Sequence, residues 1–164
     1  MNSGVDGTNE VRHEVIVKAA PERAFRVFTQ RLGRWWPADH HVGARPMADA
    51  IVEPRVGGRF YEVGDDGSEC DWGQVLAWEP PWRLVLAWQL QLDWKFHADL
   101  ARASEVEIVF EGLEDGRTRV VLTHSKLDRH GAGYEAIAKA VGSPGGWPGI
   151  IGSFVGAAEG AEAE

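Results

Sequence analysis

The feature that most constrains this chain is a two-residue alternation running from Arg59 to His124, cut into short pieces by turn residues. In Arg83–Leu92, the side chains of Leu84, Leu86, Trp88, Leu90 and Leu92 share one parity. Ser104–Glu111 sets Val106, Ile108 and Phe110 against Glu105, Glu107 and Glu111. Thr118–His124 puts Val120, Leu122 and His124 on one side. Period two is the signature of a strand with one face buried. Gly64-Asp65-Asp66-Gly67 joins Arg59–Val63 to Cys70–Glu79 as a hairpin, Pro80-Pro81 forces a corner that cannot lie inside a sheet, and Asp115-Gly116 turns the chain again.

The flanks add helices. Val11–Lys18 alternates as a first strand. Pro21 opens a short helix with Ala24, Phe25, Val27 and Phe28 as its apolar stripe, and Leu32, Trp35 and Trp36 form a second that stops before Pro37. Residues 38–49 read as a loop, Ala50–Glu53 as a strand, and Asp93–Ala103 as the tip of a long hairpin. His130–Val141 reads as one helix and Trp147–Ala158 as another, the latter with Ile150, Ile151, Phe154 and Val155 on its apolar side. A sheet with one apolar face must be covered, and the last helix is the long apolar element available. The expected fold is therefore α+β: a curved antiparallel sheet wrapped around a long C-terminal helix. One domain spans residues 11–158, between a disordered tail at 1–10 and a flexible acidic tail at 159–164. A curved sheet and one helix rarely fill their shared interior, so a cavity is expected, with the two short helices closing one end.

Charge and cysteine usage narrow the partners. The net charge of −8 argues against a nucleic acid or an anionic membrane, both of which need a basic face. One cysteine, Cys70, excludes an intrachain disulfide. The first ten residues carry no secretory pattern and no stretch of about 18 apolar residues exists, so a cytoplasmic address is expected.

In order and spacing, several segments resemble one family. They are Ala20-Pro21-Glu22-Arg23-Ala24-Phe25, Trp35-Trp36-Pro37, Glu53-Pro54-Arg55-Val56-Gly57-Gly58-Arg59-Phe60, Trp72 through Pro81, Arg83-Leu84, Trp88, and Gly146-Trp147-Pro148-Gly149-Ile150-Ile151. The chain looks like the activator of Hsp90 ATPase homologue 1-like (AHSA1-like) group of the START/Bet v 1-like (SRPBCC) superfamily. The resemblance implies the helix-grip fold and a hydrophobic or amphipathic small molecule held between sheet and long helix. It implies no shared catalytic motif, and fold membership does not set function. Chaperone contact and a stress-response role stay as alternatives. The namesake's chaperone-binding domain has no counterpart in the roughly ten residues before the first strand.

Of the sixteen aromatic residues, eight are tryptophan. An indole offers a large apolar face and one N–H that wants an acceptor. Phe25, Phe28, Trp35, Trp36, Tyr61, Trp72, Trp88, Phe110, Trp147 and Phe154 are the expected ligand-binding residues, with core filling as the competing reading for each. Trp78 and Trp82 are expected to pack on the Pro80-Pro81 corner. Asp39-His40-His41 lacks companion ligands at metal spacing and reads as a polar loop at the cavity mouth, one histidine being able to bond a ligand. Glu62, Asp71 and Glu107 are expected on the surface, and His124 facing inward. Cys70 is expected to be inert. The expected function is a small binding protein for a hydrophobic or aromatic molecule, with no catalytic residue, cofactor or metal. A cyclase- or isomerase-like enzyme is the alternative, and a homodimer is left open.

Overall fold

A computed structural model describes residues 9–160. Seven antiparallel strands form one curled sheet, in the order β1-β7-β6-β5-β4-β3-β2. They are β1 (Val11–Val17), β2 (Met47–Val52), β3 (Arg59–Gly64), β4 (Glu69–Glu79), β5 (Arg83–Trp88), β6 (Ser104–Gly112) and β7 (Thr118–Ser125). The helices are α1 (Pro21–Gln30), α2 (Leu32–Trp35), α3 (Glu135–Gly142) and α4 (Trp147–Glu159). This is the expected helix-grip arrangement, with α4 as the long helix against the sheet. The order also explains the tight turns: β2 through β7 form a meander, and β1 returns to pair with β7.

The alternating pieces bury the parity read from the sequence. Leu84, Leu86, Val106, Ile108, Phe110, Val120 and Leu122 are buried on the concave face. Against them α4 packs Ile150, Ile151, Phe154 and Ala158. Helix α1 fills one end with Ala24, Phe25, Val27 and Phe28. The side chain of Arg23 ties the two helices together by donating to the carbonyls of Ala158 and Gly160 at the end of α4.

Several strand ends differ from expectation by one residue, and other boundaries differ as follows. The second strand begins at Met47, because pairing with β3 continues past a bulge between Met47 and Asp49. Strand β5 ends at Trp88, which leaves Leu92 in a turn and 43% exposed. The expected helix from His130 to Val141 is split into a 3-10 turn, Leu127–His130, and α3. Gly131 and Gly133 stand between them at φ of 93° and 92°, a region no right-handed helix uses. The last helix extends one residue beyond Ala158, to Glu159, whose carboxylate accepts from the Lys18 N–H. Residues 1–8 and 161–164 of the expected tails lie outside the described residues.

Candidate functional site

The interior divides into a packed aromatic end and an open one. At the packed end, Phe25, Phe28, Trp35, Phe110 and Phe154 contact one another edge-on or, for Phe28 and Trp35, tilted, with ring centroids 5.1–5.8 Å apart. Edge-to-face packing at this spacing is the favoured aromatic geometry. These five expected ligand-binding residues therefore sit in the packed core. Trp78 joins the same cluster, 5.1 Å from Phe25. Tyr61 lies on the outer face of β3, opposite Phe60 and Glu62, with the Arg59 guanidinium 3.8 Å from its ring centroid.

At the open end lies a cavity of about 570 Å³. Its wall is built from Trp36 at the end of α2, Trp72 on β4, Trp88 on β5, Ile150 on α4 and Trp94 in the β5–β6 connection. His40, His41, Val42, Asp93 and Lys95 contribute the polar rim and Val141 and Gly145–Gly146 the far side. Trp147 stands against the wall, with its ring 5.7 Å from Trp88 and 6.0 Å from Trp36. Of the expected binding residues, the structure thus brings Trp36, Trp72 and Trp88 onto the cavity.

Five tryptophans are buried: Trp35, Trp36, Trp72, Trp88 and Trp147. Four of them donate their indole N–H within the protein: Trp35 to the Val27 carbonyl, Trp36 to the His40 carbonyl, Trp72 to Glu62 Oε1, and Trp147 to His124 Nδ1. The Trp88 N–H has no acceptor among the described residues. An orphaned buried donor costs about 1–3 kcal/mol.

Glu62 is not on the surface as expected; it is 1% exposed. Its parity with Phe60 carries the carboxylate inward, where the chain answers it with three donors. Oε1 accepts from Val42 N–H at 2.7 Å and Trp72 Nε1 at 2.7 Å, and Oε2 accepts from Gly43 N–H at 3.0 Å. The loop can come this close because residue 43 is glycine: a Cβ there would stand 3.0 Å from Glu62 Oε2 and 3.1 Å from Cys70 Sγ. Asp71 and Glu107 do face outward, paired with Arg59 and Arg83.

The two histidines of the rim differ in what they can do. His40 is a clasp: Nδ1 meets Asp39 Oδ1 at 2.8 Å and Nε2 meets the Gly145 carbonyl at 2.7 Å. Both partners are acceptors, so both nitrogens carry protons. Burial opposes that charge, but the Gly145 carbonyl and the Asp39 carboxylate outweigh it and raise the pKa above the ordinary value. His41 Nδ1 is 3.0 Å from the Gly43 carbonyl, which can only accept, so Nδ1 carries the proton.

Trp94 is a residue the sequence reading missed. Its N–H donates to the Gln91 carbonyl at 2.8 Å and the Gln91 N–H donates to the Lys95 carbonyl at 3.0 Å, the pattern of a three-residue hairpin turn. The last turn position needs a left-handed backbone, normally supplied by glycine or asparagine; Trp94 holds it at φ of 62°. No local signal marks this tryptophan, because turn chemistry predicts a different residue there.

Behind the wall runs a buried polar chain. The Trp147 N–H fills His124 Nδ1, so His124 Nε2 carries the proton and donates to Ser104 Oγ at 2.7 Å. Ser104 donates onward to His130 Nε2 at 2.7 Å, and His130 Nδ1 donates to Gln91 Oε1 at 3.2 Å. Gln91 closes the chain on the carbonyls of Gln89 and Arg102. His124 does face inward as expected. Burial, then the neighbouring His130, push its pKa down to about 3.

The chain matches the family described as activator of Hsp90 ATPase homolog 1-like protein over residues 18–157. Among solved structures it is similar to an anthrahydroquino-γ-pyrone synthase, Txn09, with 42% identity over 90% of this chain and 95% of that one and a TM-score of 0.64. It is similar to CalC, a self-sacrificing resistance protein from Micromonospora echinospora, with 28% identity over 95% and 99% of the two chains and a TM-score of 0.67. The Aha1 dimer from Colwellia psychrerythraea shares the fold, at 19% identity over 92% and 96% and a TM-score of 0.59. Comparison with curated proteins found no match. No helix among the described residues is long and apolar enough to cross a membrane. With nearly the whole of its folded part matched, this chain belongs to the AHSA1-like family.

Proposed function

We propose that this protein binds a flat, hydroxylated polycyclic aromatic molecule in the tryptophan-walled cavity and closes an oxygen-containing ring on it. The observation that carries the reading is the wall itself: four indoles, Trp36, Trp72, Trp88 and Trp94, around about 570 Å³. The 42% identity with a synthase named for an anthrahydroquinone fused to a γ-pyrone supports both the flatness of the guest and the ring-forming chemistry. A γ-pyrone fused to an arene needs an arene oxygen bonded to a side-chain carbon, so the reaction starts by taking a proton from that oxygen. Likeness to CalC favours a second reading, in which the same cavity sequesters such a molecule without turnover.

Titration with 1,2-dihydroxyanthraquinone tests the binding. Tryptophan emission is expected to fall to a saturable minimum. Roughly 18 non-hydrogen atoms at about 0.3 kcal/mol each give a dissociation constant of about 0.1 mM or tighter. No saturable quenching by this probe or by other flat phenols would remove the proposal. Turnover of a ring-open hydroxyanthraquinone precursor, followed by chromatography, separates synthase from sequestering protein.

Trp94→Gly sharpens the test. The strained turn accepts glycine, so stability is expected to stay within about 1 kcal/mol of the parent. Affinity for the same probe is expected to drop at least tenfold, because the rim loses an aromatic face. Equal binding by calorimetry would show that Trp94 takes no part in holding the guest.

A further inference from the structure

Resting on the cavity reading above, we propose that His41 is the group that takes the proton from the bound molecule, with Glu62 placed to hold the resulting imidazolium. Three observations carry this. His41 is on the cavity wall. Its Nδ1–H is committed to the Gly43 carbonyl, so in the neutral ring the lone pair is on Nε2, and Nε2 has no hydrogen-bond partner among the described residues. The Glu62 carboxylate lies 4.0 Å from Nδ1, buried to 1% exposure and locked by three donors, one of them from Trp72 of the same wall.

A base, an N–H held by an acceptor behind it, and a fixed negative charge beside the ring are the parts from which a histidine general base is built. The other titratable groups on the cavity are less suited. His40 has both nitrogens protonated and engaged. Asp93 is exposed and accepts the Lys95 N–H. Lys95 is an amine with no ion-pair partner among the described residues, and in its ammonium form it has no lone pair to take a proton. The step balances simply. The ligand's O–H bond breaks, its electron pair stays on oxygen as a phenolate, and an N–H bond forms at Nε2. Ring closure then forms the C–O bond by conjugate addition of the phenolate to an alkynyl ketone side chain. The displaced electron pair goes to the carbon next to the ketone, which takes the proton back from the imidazolium, so nothing leaves and no oxidant is needed.

The experiment uses the full chain and 1,2-dihydroxyanthraquinone, whose visible band moves to longer wavelength on ionisation. At a pH where the free probe is mostly neutral, the bound probe is expected to show at least a tenfold larger ionised fraction. His41 Cε1–H is expected to move to the imidazolium position in the NMR spectrum. In His41→Gln and His41→Asn the probe is expected still to bind saturably, by fluorescence quenching, yet remain neutral. Lys95→Gln is expected to keep most of the ionised band. The proposal is overturned if the parent binds the probe without ionising it, if the band survives both His41 variants, or if Lys95→Gln alone removes it. Should the variants fail to fold, the His41 resonance of the parent decides. Absence of any quenching in the parent is a different failure and sinks the cavity reading itself.

Discussion

Glu62→Ala is expected to cost about 3–5 kcal/mol of folding stability, the largest effect of any single carboxylate removal in this chain. The reason is the number of donors left behind. Val42 N–H, Gly43 N–H and Trp72 Nε1 all end on this one buried side chain. Each orphaned buried donor costs about 1–3 kcal/mol, reduced where water can enter, while loss of the charge relieves some desolvation. Glu62→Gln keeps the volume but turns an NH₂ toward at least one of those donors, and about 1–3 kcal/mol is expected. Glu107→Ala is the contrast. Its half-exposed pair with Arg83 at 2.7 Å is worth about 1 kcal/mol or less. Urea denaturation of the three variants checks the ranking. If Glu62→Ala stayed within about 1 kcal/mol of the parent, the carboxylate would not be the anchor of the rim loop.

The same carboxylate shows where sequence reading reaches and where it stops. The strands were legible because each alternating piece carries its own evidence: Leu84, Leu86 and Trp88 agree with one another, and turn residues mark the ends. Glu62 also alternates correctly, with Phe60. Its charge points to the surface and its parity to the core; parity prevails because a loop twenty residues upstream makes burial tolerable. The Ser104 chain is hidden for the same reason, its partners lying 20, 26 and 39 residues apart in sequence. The tryptophans were a composition signal without an address. Nothing in the spacing separates Trp35, packed against Phe28 and edge-on to Phe154, from its neighbour Trp36 on the cavity wall. That division depends on which side of α2 faces α4. Trp94 is legible only afterwards, as a bulky residue in a place built for glycine.

Acid is expected to weaken this protein before its surface carboxylates are titrated, and His124 is the cause. It is fully buried with both nitrogens in use, and its folded pKa of about 3 lies below the ordinary 6.5. Above pH 6.5 the ring is neutral in both the folded and the unfolded chain, and the full stability is present. As pH falls below 6.5, the unfolded chain binds a proton that the folded one refuses. Stability then drops by about 1.4 kcal/mol per pH unit until the folded pKa is reached, or about 2–3 kcal/mol by pH 4.5 from this residue alone. His130 adds to the loss, its pKa lowered by burial and then by Arg102. His40 works in the opposite direction, since its raised pKa favours the folded state in acid, but the group is partly exposed and solvent screens it. Urea midpoints should therefore hold from pH 7.5 to about 6.5 and fall steadily from there to 4.5. In His124→Leu the chain starts about 3 kcal/mol less stable, because Trp147 and Ser104 lose their partner. Its slope across the same window should nonetheless be flatter by about 1.4 kcal/mol per unit. An unchanged slope in that variant would mean that the acid sensitivity resides in the carboxylate pairs instead, and that the buried histidine chain contributes rigidity to the Trp88 and Trp147 wall without sensing pH.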